Sequence, residues 1–229
     1  MISMIDTRLW RTTCLLLLAL SSWSRTASPL PAATLHTDTF DTGTDGWLGG
    51  SSPVHVPSGG PAGVTDGFLS ISSTNSNLAT FTLESRWKGD LWSAGAAAVN
   101  LDLKGVAGGA PLAMRLVLMG PSSSVRWTST VPVVVATDNV WRNYTFEISE
   151  DAMTQVLGVG SATWLDTLSN VDRVMLRHDP NGPSSTGTAI TGELGIDNVR
   201  LETVPEPTAA VMLVLGLALT VVTRRFAPR

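Results

Sequence analysis

Apolar residues through the middle of the chain recur mostly at every second position. Leu69 and Ile71 alternate with Ser70 and Ser72, and Ala79, Phe81 and Leu83 are separated by threonines. Val99, Leu101 and Leu103 alternate with Asn100, Asp102 and Lys104; Met114, Leu116 and Leu118 alternate with Ala113, Arg115 and Val117. A period of two places alternate side chains on opposite faces, the pattern of half-buried strands. The β-branched run from Val131 to Ala136 reads as a core strand. Tyr144, Phe146 and Ile148 share one face, as do Val174 and Leu176. Leu194 and Ile196 keep one parity and Val199 and Leu201 the other. That one-residue slip predicts a bulge or bend near Asp197.

Turn chemistry separates these runs at Pro57–Pro61, Gly105–Pro111 and Asp179–Pro183, where Gly, Pro, Asn and Asp supply the required backbone angles. Many short strands joined this way predict an all-β fold, an antiparallel β-sandwich of jelly-roll type. One short helical insertion interrupts it. Ser149 is placed to cap a turn at Glu150-Asp151, and Ser161 to cap another through Trp164, Leu165 and Leu168. No repeat of fixed period occurs.

The two ends follow different rules. Arg8 and Arg11 precede the apolar stretch Cys14–Leu20, with small and polar residues from Ser21 onward. This is the layout of a secretory signal peptide, assigned to residues 1–33; the apolar stretch is shorter than the roughly 20 residues a bilayer span needs. At the other end Pro205-Glu206-Pro207 is followed by an apolar run from Ala209 to Val222 and then Arg224-Arg225. Length alone also fits a core helix. The terminal position and the arginines instead point to a hydrophobic membrane helix with a cytoplasmic stop, and Pro205 and Pro207 separate it from the domain. This arrangement over residues 204–229 resembles the bacterial PEP-CTERM sorting signal. The resemblance implies a sorting protease of the exosortase class as partner, membrane anchoring before processing, and a final place at the cell surface or outside the cell.

Removing both ends leaves residues 34–203, the length of one domain, with no cysteine. It carries 9 Lys and Arg against 17 Asp and Glu, a net −8, whereas the whole chain is at −4. Such a balance disfavours nucleic acid, whose binding rests on phosphate neutralisation. It suits an exported domain, a cation ligand or a neutral polymer such as an extracellular polysaccharide.

Six of the eight tryptophans lie in this domain. A sandwich buries large rings well, so most read as core. Trp87 and Trp92 flank a loop-like Lys88-Gly89-Asp90-Leu91 stretch, which makes them the candidates for exposed, glycan-binding rings.

Short motifs resemble known jelly rolls. Phe40–Trp47 resembles the opening strand of carbohydrate-binding and laminin-B-like domains, and Trp87–Asp90 with Val99–Leu103 the laminin-B-like segment in which a Gly-Asp turn enters a central strand. Trp141–Phe146 resembles a strand common to both groups, and Gly195–Leu201 their closing strand with its Asp-Asn-Val signature. The resemblance implies a structural calcium ion joining first and last strands, with Asp197 meeting Asp38 or Asp41 (Asp45 being a further opening-strand carboxylate).

Catalytic patterns are missing. His36, His55 and His178 form no His-Glu-x-x-His pattern, no Gly-x-Ser-x-Gly elbow occurs, and Gly158-Val159-Gly160 lacks the third glycine of a nucleotide loop. Glu147, Glu150 and Asp151 read as a strand end and a first helical turn. The sequence therefore points to a non-enzymatic, structural or adhesive surface or matrix protein. A carbohydrate-binding module is the first alternative, and a glycoside hydrolase, which needs two opposed carboxylates, the second.

Overall fold

The computed structural model describes residues 32–203. The chain runs through β1 (Thr34–Asp38), β2 (Trp47–Leu48), β3 (Val54–Val56), β4 (Phe68–Asn77) and β5 (Ala79–Thr82). A 3-10 turn at Ser85–Trp87 leads to β6 (Ala96–Gly105), β7 (Leu112–Met119), β8 (Arg126–Ser129), β9 (Val133–Val135), β10 (Arg142–Glu147) and β11 (Met153–Leu157). Helix α1 (Trp164–Leu168), β12 (Arg173–His178) and β13 (Ala189–Thr203) complete it.

These strands form two sheets. Sheet A has the order β10-β6-β13-β4-β3, with β1 also on β13; sheet B has the order β11-β8-β7-β12-β5-β2, with β9 also on β7. All pairings are antiparallel. Leu69, Ile71, Leu101, Leu103, Leu194 and Ile196 of sheet A face Leu116, Leu118, Val174 and Leu176 of sheet B in one core. Burying each such side chain contributes about 1.5–3 kcal/mol.

Strand β13 is the spine of sheet A. It pairs β4 in its first half, β1 near its end and β6 along its other edge. Its register with β6 shifts between Asp197 and Arg200, and Asn198 sits at φ 48°, a conformation that asparagine tolerates better than most residues. The predicted bulge is present. It lets Leu194 and Ile196 before it and Val199 and Leu201 after it all reach the core.

Three local expectations are corrected. The Val131–Ala136 run is not a core strand: only Val133–Val135 pairs, against β7, while Val131 and Val134 are exposed. Pro132 has no N–H to give a ladder, which confines such a run to an edge. The helix is capped by Thr163, not Ser161, through a reciprocal box with Asp166. Finally, the opening strand is Thr34–Asp38; the Phe40–Trp47 segment is mostly turn, entering a strand only at Trp47.

The signal peptide through residue 31 and the sorting signal, with Pro205, Glu206, Pro207, Arg224 and Arg225, lie outside the described residues. Among the described residues no helix is long and apolar enough to cross a membrane.

Candidate functional site

Three features surround the opening and closing strands. The first is a buried carboxylate. Asp38 Oδ2 accepts hydrogen bonds from Trp47 Nε1 at 2.8 Å and Trp87 Nε1 at 2.7 Å, and Oδ1 pairs with Arg86 Nε at 2.8 Å. The indoles of Trp47 and Trp87 meet edge to face at 5.9 Å, with His36 packed on Trp87 at 4.2 Å. Both oxygens of Asp38 are thus engaged within the fold, so Asp38 is a structural anchor and not a free metal ligand. The same contacts correct the expectation for Trp87. Its ring is 0 % exposed, because the 3-10 turn directs it inward onto Asp38.

Trp92 is placed differently. It is 54 % exposed on a tight, closed turn. The N–H groups of Leu91 and Trp92 both donate to Leu168 O, Gly95 N–H donates to Trp92 O, and Ala96 N–H donates to Leu91 O. Asp90 Oδ1 accepts from Ser93 N–H. Gly89 and Gly95, both at positive φ, supply backbone angles that side chains disfavour. Trp47, Trp87, Trp127 and Trp164 are buried and Trp141 is half-buried, so Trp92 is the exposed indole of the domain.

The third feature is an acidic cluster at the bulge. Asp197 is fully buried; its Oδ1 accepts from Asn198 N–H at 2.6 Å, while Oδ2 has no partner among the described residues. Burial, and then the negative fields of Asp66, Asp102 and Asp41, push its carboxyl up to about 7. Asp102, opposite Asp197 on β6, is tied to Asn143 Nδ2 and Asn198 Nδ2. Asp41 and Asp66 each commit Oδ2, to the Thr39 hydroxyl and to Ala62 N–H. The carbonyl of Phe40 lies 2.6 Å from the position a Cβ on Gly67 would take, and the unpartnered His55 Nε2 lies 3.0 Å from that position. Gly67 therefore keeps this corner open.

The structure thus brings the field of Asp41 onto Asp197, and leaves Asp38 in its own hub. Asp66, Asp102 and His55 were missed by sequence reasoning. Asp102 looked like an ordinary solvent-facing position of an alternating strand, and Asp66 lies in a loop far along the chain. An orphaned carboxylate oxygen among further carboxylates suits a hard cation that takes oxygen ligands. Among the described residues, however, no three carboxylate or imidazole groups already converge as a ligand set.

Elsewhere, a shallow cleft between the Val106–Gly109 loop and residues Ser72, Ser73 and Glu193 holds one carboxylate, where glycoside hydrolysis uses a pair.

No family model and no curated protein matches the chain. The solved structures it is similar to include carbohydrate-binding modules and agarases. It is similar to an exo-beta-agarase at 13 % identity and TM-score 0.52, over 76 % of this chain and 25 % of that one. A second agarase is similar at 12 % identity and TM-score 0.50, over the same shares. A family 11 carbohydrate-binding module from Clostridium thermocellum, solved with a β-1,3-1,4-mixed-linked tetrasaccharide, is similar at 14 % identity and TM-score 0.48, over 73 % of this chain and 94 % of that one. At these identities the likeness speaks to fold alone. The chain spans about a quarter of the length of the agarases it is similar to.

Proposed function

We propose that the domain is a non-catalytic, glycan-binding module of an exported protein. The single observation that carries this reading is Trp92, a half-exposed indole fixed on a hydrogen-bonded turn while the other rings are packed away. A rigid aromatic face gives a sugar large contact area at little cost in conformational entropy. A fold shared with part of an agarase is a consistent setting. The structural or adhesive role expected from the sequence becomes a consequence of this binding: the module would hold its protein to an extracellular polysaccharide. Affinity electrophoresis against a panel of neutral polysaccharides tests it. At least one gel should retard the protein, and Trp92→Ala should lose most of that retardation without a change in melting temperature. Absence of retardation on every gel would refute it.

Export completes the proposal. The ordered Pro205-Glu206-Pro207, apolar run and Arg224-Arg225 support sorting by an exosortase-class protease after transient anchoring in the membrane. Mass spectrometry of protein recovered from the cell surface should show a C-terminus near Pro205–Pro207. Recovery of intact chains ending at Arg229 would contradict processing.

We also propose that a structural calcium ion is held between Asp197 and Asp41, with backbone carbonyls completing its oxygens, while Asp66 and Asp102, tied to N–H groups and amides, contribute field. The ion would neutralise these carboxylates and tie the segment after the opening strand to the closing strand. Asp38 has no part in this.

A further inference from the structure

We propose that Arg126 and Arg173, half-buried on the outward side of sheet B, form a second binding site, for an acidic saccharide whose carboxylates they recognise.

Strand register defines this face. Paired residues on neighbouring strands lie on the same side of a sheet. One row therefore runs across six of the seven strands through Leu48, Phe81, Met175, Val117, Thr128 and Thr154, with Val117 and Thr128 at its centre buried under the chain itself. The next row holds Arg173, Met119 and Arg126, and on the far side of the apolar row Arg177 stands opposite Arg115. Leu116, Leu118, Val174 and Leu176, at alternate positions, point the other way into the core. Four of the domain's nine Lys and Arg thus share one face of one sheet.

Little negative charge answers them. Among the described residues the one carboxylate within ion-pair distance of the four is Asp179, 3.6 Å from Arg177. Arg115 is buried and saturated by the carbonyls of Asp179, Ser129 and Thr130. Arg177 is buried beneath the carbonyls of Ser184 and Ser185, and Arg126 shares the latter at 2.6 Å. Burial holds Arg177 below the usual guanidinium range, with Arg126 and Arg115 acting in the same direction against Asp179. Those two arginines are structural and supply field. Arg126 and Arg173 are half-buried and have no carboxylate partner among the described residues. Their Nε atoms are unpartnered, and the Arg173 guanidinium lies 4.2 Å over the Phe81 ring. Arg126 and Arg177, which share the Ser185 carbonyl, are like charges that repel until a counter-charge arrives.

The chemistry of the face selects the ligand. A guanidinium fork matches a carboxylate with two parallel hydrogen bonds. Arg173 and Arg126 stand two strands apart, about 10 Å between backbones, on either side of Met119, which is itself buried. The adjoining Leu48, Phe81 and Met175 offer apolar surface for the C–H faces of sugar rings. A densely charged polymer such as nucleic acid is opposed by the domain's net −8. A sparsely charged uronate chain meets the local arginines and escapes most of that repulsion by screening.

The inference rests on the glycan-binding reading only in that its ligand is a saccharide. Calorimetric titration of the full-length protein with an oligogalacturonate, a neutral gluco-oligosaccharide and dextran sulfate tests it, with Arg126→Gln, Arg173→Gln and Arg173→Lys. Oligogalacturonate should bind, weakened at least ten-fold in each glutamine variant and also in Arg173→Lys, which keeps charge but loses the fork. Melting temperatures verify folding; if one variant fails to fold, the remaining variants decide. No binding of oligogalacturonate, binding of dextran sulfate alone, or full affinity in the folded arginine variants would overturn it. Neutral glycan bound through Trp92 but indifferent to the arginines would sink this face and leave the module reading intact. Oligogalacturonate bound and lost in the arginine variants, with no neutral oligosaccharide bound, would do the reverse for the Trp92 site.

Discussion

Asp38→Ala is expected to be the most destabilising single change near the opening strand. The substitution strips the acceptor from two buried indole N–H groups and breaks the ion pair with Arg86, which keeps Glu84 and the Asp45 carbonyl. Each buried donor left unsatisfied costs about 1–3 kcal/mol, while the loss of the pair with Arg86, itself 37 % exposed, adds about 1 kcal/mol or less. In a domain of this size each kcal/mol lowers the melting temperature by about 2–4 °C, so a fall on the order of 10 °C is expected by calorimetry. Trp87→Phe, which keeps a ring but removes one N–H, should cost clearly less. A fall of only a degree or two in Asp38→Ala would show that the indoles find other acceptors, and that the hub is dispensable.

The second large effect concerns pH and calcium. Asp197 is raised from 3.8 to about 7, so the folded state holds a proton that the unfolded chain releases near its ordinary value. With calcium chelated, the contribution of Asp197 to stability should therefore be full below about pH 4, decline as pH rises from about 4 to 7, and level off above that, while Asp90, Asp138 and Asp166, held low, act in the opposite direction in the acid range. Roughly three units at about 1.4 kcal/mol each bound the decline at about 4 kcal/mol. Asp197→Asn should flatten the profile. Calcium needs the ionised carboxylates, so its stabilising effect should be full above pH 7 and fade as pH falls through 7. Melting temperatures from pH 4 to 8, in chelator and in millimolar calcium, make both comparisons. A flat profile in chelator would contradict the buried-acid account; a profile unmoved by calcium at pH 8 would leave Asp197 as a neutral acid closing the bulge.

Much of the fold was legible because it is written in local periodicity. The parity change between Ile196 and Val199 announced the bulge, and the Val99-Leu101-Leu103 alternation gave β6. Core positions such as these need only a period of two and a partner sheet. The failures share a different cause. Trp87 adjoins a Gly-Asp turn and looked exposed, yet its orientation is fixed by Asp38, 49 positions away, and no local pattern records that pairing. Arg115 and Arg177 sat at alternating positions that normally face water; they are buried because the Asp179–Thr188 segment folds back with its carbonyls over sheet B. The Trp141 ring lies against Phe68 and Lys104, over Gly195, where a side chain would collide with it, and those partners too stand far from it in sequence. Strand β11 escaped notice because Ser149 and the acidic pair after it look like a helix start.

The central claim is that Trp92 meets the glycan. Following the indole N–H resonances by NMR during titration with a retained neutral glycan tests it most directly. The account predicts that the Trp92 signal shifts in proportion to occupancy, while those of Trp47 and Trp87, hydrogen-bonded to Asp38, stay in place. Saturable binding with a stationary Trp92 signal would contradict it.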